Sequence, residues 1–362
     1  MKWKKYLLAV SILSAGLLVA CGDDEGASSG VDSDNLTLSE IEKKAKEEGK
    51  INSIGMPDAW ANWKETWEEL TDKYSLKHVD TDMSSAEEIA KFEAEKDNAS
   101  ADIGDVGIAY GPIAEDKGLT LAYKTSYWDD IPDWAKDDDG DWIVGYTGTI
   151  AFIADKNKVD KIPTSWEELL NSKYKVTVGD ALTANQAQFA ILAAAFANGG
   201  DETNVEAGVN YFAEIAKQGR LHTVDPTVAN LEKGEVEIAL LWDFNALGYR
   251  DQIDASRFDV TIPSDASVVS GYATIINKYA KNPHAAMLTR EYILSDEGQD
   301  NLAKGYARPI RENAKLSDEA KGMLLDADLY KNAKPVNDFD AWAQTTAQIP
   351  NLWQEKVLIH VK

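Results

Sequence analysis

Between Thr37 and Gly111 the chain switches back and forth between helical and strand periodicity, and this alternation limits its possible folds more than any other feature. Thr37-Leu38-Ser39-Glu40 has capping-box spacing, in which the first and fourth side chains satisfy each other's backbone N–H groups. The helix LSEIEKKAKEE follows, with Gly49 as its stop. INSIGM then reads as a first strand, ended by Pro57. Asp58 to Trp63 opens a helix running toward Lys73. Leu76–Val79 is a second strand, Ser84 or Ser85 caps the helix AEEIAKFEAEKD, and ADIGDVGIAYGP is a third strand and loop. Helices interleaved with strands predict an α/β fold built on a largely parallel sheet.

The alternation continues with interruptions. Residues 121–142 are rich in Trp and Asp, carry no period and read as a long surface excursion. WIVGYTGTIAFIADK is extended, PTSWEEL starts a capped helix, VTVGD is a strand, and ANQAQFAILAAAFAN and GVNYFAEIAKQG are helices. VEIALLWD and DVTIP are strands, and SVVSGYATIINK begins extended. AAMLTREYILSDEGQDNLAKG is one helical stretch, and the last forty or so residues supply further helices.

The N-terminus carries a different message. Lys2, Lys4 and Lys5 precede an apolar run from Tyr6 to Ala20. The run is shorter than the about 20 residues a membrane span needs and fits the h-region of a signal peptide over residues 1–20. Leu18-Val19-Ala20-Cys21 resembles the bacterial lipobox, which predicts cleavage before Cys21 and lipid (palmitate among it) on its thiol. Residues 21–35 are small, polar and acidic and read as a flexible tether. Cys21 is the single cysteine, so internal disulfides and multi-cysteine metal sites are excluded. The net charge of −25 sets the chain against nucleic acid, whose phosphates need Lys and Arg. About 340 residues after cleavage suit two lobes better than one core.

Three segments then carry a family resemblance. AKEEGKINSIG, PTSWEELLNSKYKVTVGD and NPHAAMLTREYILSDEGQDNLAKGYARPIR, in that order, resemble solute-binding proteins of bacterial ABC importers. The nearest groups are the iron(III), thiamine, phosphonate and sugar-phosphate receptors, with kinship to the spermidine/putrescine receptors. The resemblance covers about residues 38–355. It implies a periplasmic-binding-protein-like type II clamp of α/β class, each lobe a mixed, mostly parallel sheet flanked by helices. Residues 36–147 plus 268–310 would form one lobe and 148–267 the other, with the helices of 311–362 packing on the second. It also implies a small-molecule solute, an ABC permease and its ATPase as partners, a monomer, no cofactor, and membrane contact through the lipid alone. The location would be the outer face of the cytoplasmic membrane, extracellular in a Gram-positive cell and periplasmic otherwise.

Loops after strands are where open α/β sheets bind ligands, and they nominate the site. Asp58 offers a carboxylate and Trp60 a face for a cation. Ser84 and Ser85 offer hydroxyls at a helix start. Tyr110, Tyr146 and Thr147 offer hydrogen bonds, as do Thr183 and Gln186 at another helix start. Trp242 beside Asp243 ends a strand and suits an amine. Tyr272 and Arg308 lie in segments resembling later crossings between lobes. Each has a bland alternative as a cap, core residue or structural ion pair. The acids and tryptophans point to an amine, whereas the hydroxyls and Arg308 point to a phosphonate or phosphate ester. Ferric iron is a further alternative, although no Tyr-Tyr pair occurs and His78, His222, His284 and His360 are isolated. A secreted lipoprotein hydrolase is the rival from another class; no HExxH, GxSxG or P-loop is present, and the chain reads as a non-enzyme.

Overall fold

The computed structural model describes residues 36–361; the expected signal segment, Cys21 and the tether lie outside the described residues. Helix α1 (Leu38–Glu48) starts at the expected capping box and closes at Gly49, whose φ of 67° is a left-handed conformation that glycine adopts without strain. β1 (Lys50–Ile54), α2 (Trp63–Tyr74), β2 (Lys77–Thr81), α3 (Ser85–Glu95) and β3 (Ile103–Gly107) keep the expected alternation. α2 begins later than the sequence suggests, because Ala61 and Asn62 sit at φ 47° and 59°, outside the helical region. β3 leads into a helix the sequence did not announce, α4 (Tyr110–Asp116).

The segment 121–142 is not a free excursion. Tyr123, Ile131 and Ala135 are buried. Arg290 donates to the carbonyls of Tyr123 (3.1 Å) and Gly140 (2.8 Å), and Glu291 accepts from the Tyr123 hydroxyl (2.7 Å). An irregular segment can be buried only if its backbone groups find partners. Here the donor comes from a helix far along the chain, so no local pattern could reveal it.

β4 (Trp142–Asp155) is buried along its whole length. Then come α5 (Trp166–Asn171), β5 (Val176–Thr177), α6 (Asn185–Ala197), α7 (Glu206–Lys217), β6 (Leu221–His222), α8 (Val228–Glu232), β7 (Ile238–Trp242), α9 (Asp243–Ile253), β8 (Phe258–Thr261) and β9 (Ser267–Ile276). The single late helix is in fact two, α10 (Pro283–Leu294) and α11 (Asp296–Lys304). Ser295 ends the first, and its side chain caps the second. β10 (Arg308–Pro309), α12 (Asp318–Met323), β11 (Ala333–Lys334), α13 (Phe339–Thr346) and α14 (Ile349–Lys356) complete the described chain. Among the described residues no helix is long and apolar enough to cross a membrane.

The main strand order is β2-β1-β3-β9-β4-β7-β5-β6. β1 runs parallel to β2 and β3, and β5 runs parallel to β6 and β7. The long strands β4 and β9 lie antiparallel between these two sets. β4 changes partner midway: Trp142–Thr149 pair with β9, and Ile150–Ala154 pair with β7. Its register shifts between Val144 and Tyr146. One extra residue changes the face on which every later side chain emerges. The bulge therefore turns Tyr146 toward Tyr272, and the freed Gly145 carbonyl accepts from Gln299 (2.8 Å).

Candidate functional site

Loops that follow the parallel strands converge on one cleft of about 400 Å³. Gly55, Pro57 and Trp60 come from the loop after β1. Asp82–Ser85 follow β2, and Tyr110 follows β3. Facing them are Thr183–Gln186 after β5, Pro226 and Thr227 after β6, and Asn245 and Tyr249 on α9, just past β7. Within each set the parallel strands end on the same side. Because β3, β9, β4 and β7 are successively antiparallel, the two sets run in opposite directions, so their outgoing loops and helix N-termini meet across the cleft.

The floor of this cleft is acidic. Glu88 on α3 and Asp105 on β3 line it, and they are only 1% and 2% exposed. Glu88 Oε2 and Asp105 Oδ1 have no hydrogen-bond partner. The Glu88 carboxyl is wedged against two glycines. A Cβ on Gly55 would come within 2.2 Å of Oε1, and one on Gly104 within 2.6 Å of Oε2. Burial, then the neighbouring Asp105, pushes the Glu88 carboxyl well above its usual range. Burial does the same to Asp105, opposed by the bond from Tyr146. Asp80 stands nearby and accepts from the Ser53 hydroxyl (2.6 Å), which also meets His78 Nε2 (2.8 Å). Burial holds His78 down at about 4, so this imidazole brings no positive charge at neutral pH.

An aromatic relay connects the cleft wall to the floor. The Trp60 indole N–H donates to the Tyr146 hydroxyl (2.6 Å), which donates to Asp105 Oδ2 (2.7 Å). Tyr146 stacks on Tyr272 at 5.5 Å, and Trp60 meets Phe244 and Tyr272 edge-on at 5.2 and 5.4 Å. The Trp60 ring is thereby held in place, with its orientation set by two aromatic neighbours and one hydrogen bond.

Of the residues expected to meet a solute, Trp60, Ser84, Ser85, Tyr110, Thr183, Gln186 and Tyr272 line this cleft. Several are already engaged within the protein. Ser84 donates to Glu87 (2.7 Å), Ser85 accepts from the Gly107 N–H (3.0 Å), Thr183 donates to Asp180 (2.7 Å), and Gln186 donates to the Leu240 carbonyl (2.5 Å). The remaining candidates stand elsewhere. Asp58 is exposed, in neighbouring depressions. Tyr146 and Thr147 lie beneath the surface on β4. Trp242 is fully buried and donates to the Tyr272 hydroxyl (3.0 Å), because the side chain at the end of β7 points into the core. Asp243 is fully buried too. It accepts from the N–H groups of Thr149 (2.9 Å) and Phe244 (3.0 Å) and from Tyr330. Arg308 stacks on Tyr330 at 3.7 Å and donates to the Leu325 carbonyl (2.7 Å). Arg308, Tyr330 and Asp243 thus make an internal cluster that fastens the C-terminal segment.

Glu88, Asp105, Asp82, Asn245 and Tyr249 were not singled out from the sequence. A signal existed for two of them. Glu88 lies four residues before Phe92 on the apolar face of its helix, and Asp105 sits inside a wholly buried strand. A carboxylate at either kind of position needs an explanation.

Residues 100–331 match the family described as bacterial extracellular solute-binding protein. The sulfate-binding protein of Escherichia coli (strain K12) is 24% identical over 174 residues, which is 45% of this chain and 52% of that protein. The chain thus spans about half the length of the sulfate-binding relatives it matches. The spermidine/putrescine-binding periplasmic protein of the same organism is 24% identical over 365 residues, 94% of this chain and 95% of that protein. Among solved structures, the periplasmic binding protein AfuA from Actinobacillus pleuropneumoniae, with fructose-6-phosphate bound, superposes with a TM-score of 0.69 at 20% identity, covering 85% of this chain and 98% of that one. At such identity the likeness speaks for the fold, which is the mixed α/β type II periplasmic-binding-protein fold. The matching family and neighbours are binding proteins rather than enzymes.

Proposed function

The chain belongs to the bacterial extracellular solute-binding proteins, and on that premise we propose that it captures an amine-bearing solute in the cleft and delivers it to an ABC permease and its ATPase. The acids of the lining carry the ligand class: Asp82, Glu88 and Asp105 line the cleft, and among the described residues no Lys, Arg or His does. Trp60, Tyr110, Tyr249 and Tyr272 add aromatic faces to which an ammonium is attracted. The N-terminal turns of α3 and α6 also line it and would suit an anion. Magnitudes favour the cation. An ammonium about 4 Å from a carboxylate gains about 4 kcal/mol at an effective dielectric of about 20, less the cost of ionising an acid that burial holds protonated. An anion at a helix N-terminus gains about 0.3–1 kcal/mol. A ferric site is less well supported. Among the described residues, the three-carboxylate cluster whose oxygens approach within 4.8 Å is Glu115, Asp137 and Asp141, none of which lines the cleft.

The working stroke in this reading is hinge closure of residues 36–147 plus 268–310 against 148–267. The change of partner in β4, between Thr149 and Ile150, supports the first boundary. Trp342 against Phe189 (5.1 Å) and Trp353 against Phe212 (5.6 Å) support packing of the C-terminal helices on the second lobe. Isothermal titration with putrescine, spermidine, sulfate, fructose 6-phosphate and ferric citrate tests the ligand class. The amines bind and the others do not; binding of an anion or of iron with no response to either amine sinks the reading. Small-angle scattering then shows a smaller radius of gyration with amine bound.

A further inference from the structure

The unpaired acids on the cleft floor need an account of their own. A carboxylate taken out of water without a counter-charge or full hydrogen bonding is costly, and the usual escape is to keep its proton. Glu88 and Asp105 meet that condition: the Asp105 N–H beside Glu88, and Tyr146 and the Trp63 indole beside Asp105, offset their burial only in part, and neither acid has a cationic neighbour. The titratable groups facing them are Asp80 and Asp82 from β2 and its following loop, Tyr146 from β4 and Tyr272 from β9, none of which is a cation. Tyr146 donates to Asp105 Oδ2 (2.7 Å), which keeps that oxygen an acceptor and leaves Oδ1 to carry a proton. Glu88 Oε2 is equally unpartnered, and its carboxyl fills the room that the absent side chains of Gly55 and Gly104 leave.

We propose that Glu88 and Asp105 form a protonated acid pair in the empty cleft, and that an ammonium seated against them drives a proton from the pair into solvent, making this pair the specificity-determining element for a cationic solute. The inference rests on reading the cleft as an amine site. The exchange is balanced: the carboxyl O–H breaks, its proton passes to the buffer, and the ammonium keeps its own protons while the carboxylate left behind becomes its counter-ion. Low-dielectric surroundings disfavour the free anion, so the pair ionises when a cation arrives to pair with it. The site thereby avoids holding an uncompensated charge while empty. The sign of the linkage follows. Binding releases a proton, so affinity rises with pH, by up to about ten-fold per pH unit for one proton. The rise stops once the empty pair has itself ionised.

Two measurements test this. Infrared spectroscopy of the solute-free protein at neutral pH reads protonated carboxyl groups directly; the wild type shows their carbonyl band, and Glu88→Gln and Asp105→Asn each weaken it. Titration with putrescine in phosphate and in Tris, whose ionisation heats differ, counts protons exchanged; the wild type releases about one near neutral pH, and Glu88→Gln releases fewer. Putrescine binding with identical heats in both buffers overturns the exchange while leaving the amine reading intact. No binding of putrescine or spermidine removes the amine reading and the exchange with it, whatever the infrared band shows. Binding of sulfate with proton uptake would mean that the acids serve as donors to an anion, and would overturn the proposal.

Discussion

Trp60 and Trp242 look alike on paper, since each follows a strand and each stands near an acid. Their surroundings separate them. Trp60 is partly exposed in the cleft with its N–H held by Tyr146. Trp242 is 0% exposed, packs beside Phe189 at 5.4 Å and donates to Tyr272. Trp60→Ala should weaken amine binding by ten-fold or more, about 1.4 kcal/mol, with a small loss of stability. Trp242→Ala should cost about 3–5 kcal/mol of stability through the cavity it leaves. Paired denaturant titrations and binding isotherms check both; a stable Trp242→Ala protein with lost affinity would reverse the assignment. Local pattern could not separate the two tryptophans, because strand periodicity gives a residue's face, and what covers that face is decided by β9 and α6.

At the scale of elements, helix existence was legible and helix limits were less so. Capping signals at Thr37, Ser84 and Ser165 all start helices as expected, because they act within one turn. The delayed start of α2 was missed because it depends on left-handed backbone at Ala61 and Asn62. The break at Ser295 was missed although its side chain caps α11 at the Gly298 N–H (3.1 Å), a signal within one turn. α6 shows the point most clearly. Residues Ala187–Ala195 are all buried, so this helix has no solvent face and no amphipathic period. It accepts α7 at very short range through Gly208, where a Cβ would come 2.1 Å from the Ile191 carbonyl oxygen. Alanine normally favours a helix over glycine by about 1 kcal/mol. Here backbone opposes it, and overpacking should win. Gly208→Ala should lower unfolding free energy by about 2 kcal/mol, read from the denaturation midpoint. An unchanged or raised midpoint would show that the two helices can separate at little cost.

The whole molecule joins two statements of different kinds: the fold and family on one side, and the lipid anchor expected from the sequence on the other. We propose that Cys21, which lies outside the described residues, carries lipid that would hold the receptor beside its permease on the outer face of the cytoplasmic membrane. Palmitate labelling should mark the wild type and spare Cys21→Ser; equal labelling of both would remove the anchor and leave the receptor reading untouched. Charge also belongs to this scale. The chain carries a net −25, so the field of the whole body draws a cation toward the cleft, and the acid pair there supplies its counter-charge once the cation is seated.

Alternation of helix and strand, the caps and the ordered family segments were set by the sequence alone, since each is written in neighbouring residues. They sufficed for the α/β class and for a cleft at the ends of parallel strands, and they placed Trp60, Ser84, Ser85, Tyr110, Thr183, Gln186 and Tyr272 around it. Tertiary structure decided which polar groups remain unsatisfied there. The hydroxyls of Ser84 and Thr183 are used up by Glu87 and Asp180, whereas Glu88 on α3 and Asp105 on β3 are both buried at the cleft, each with one carboxyl oxygen left without a partner. Whether a polar group is free depends on every neighbour it meets, and those neighbours are assembled only when the chain has folded.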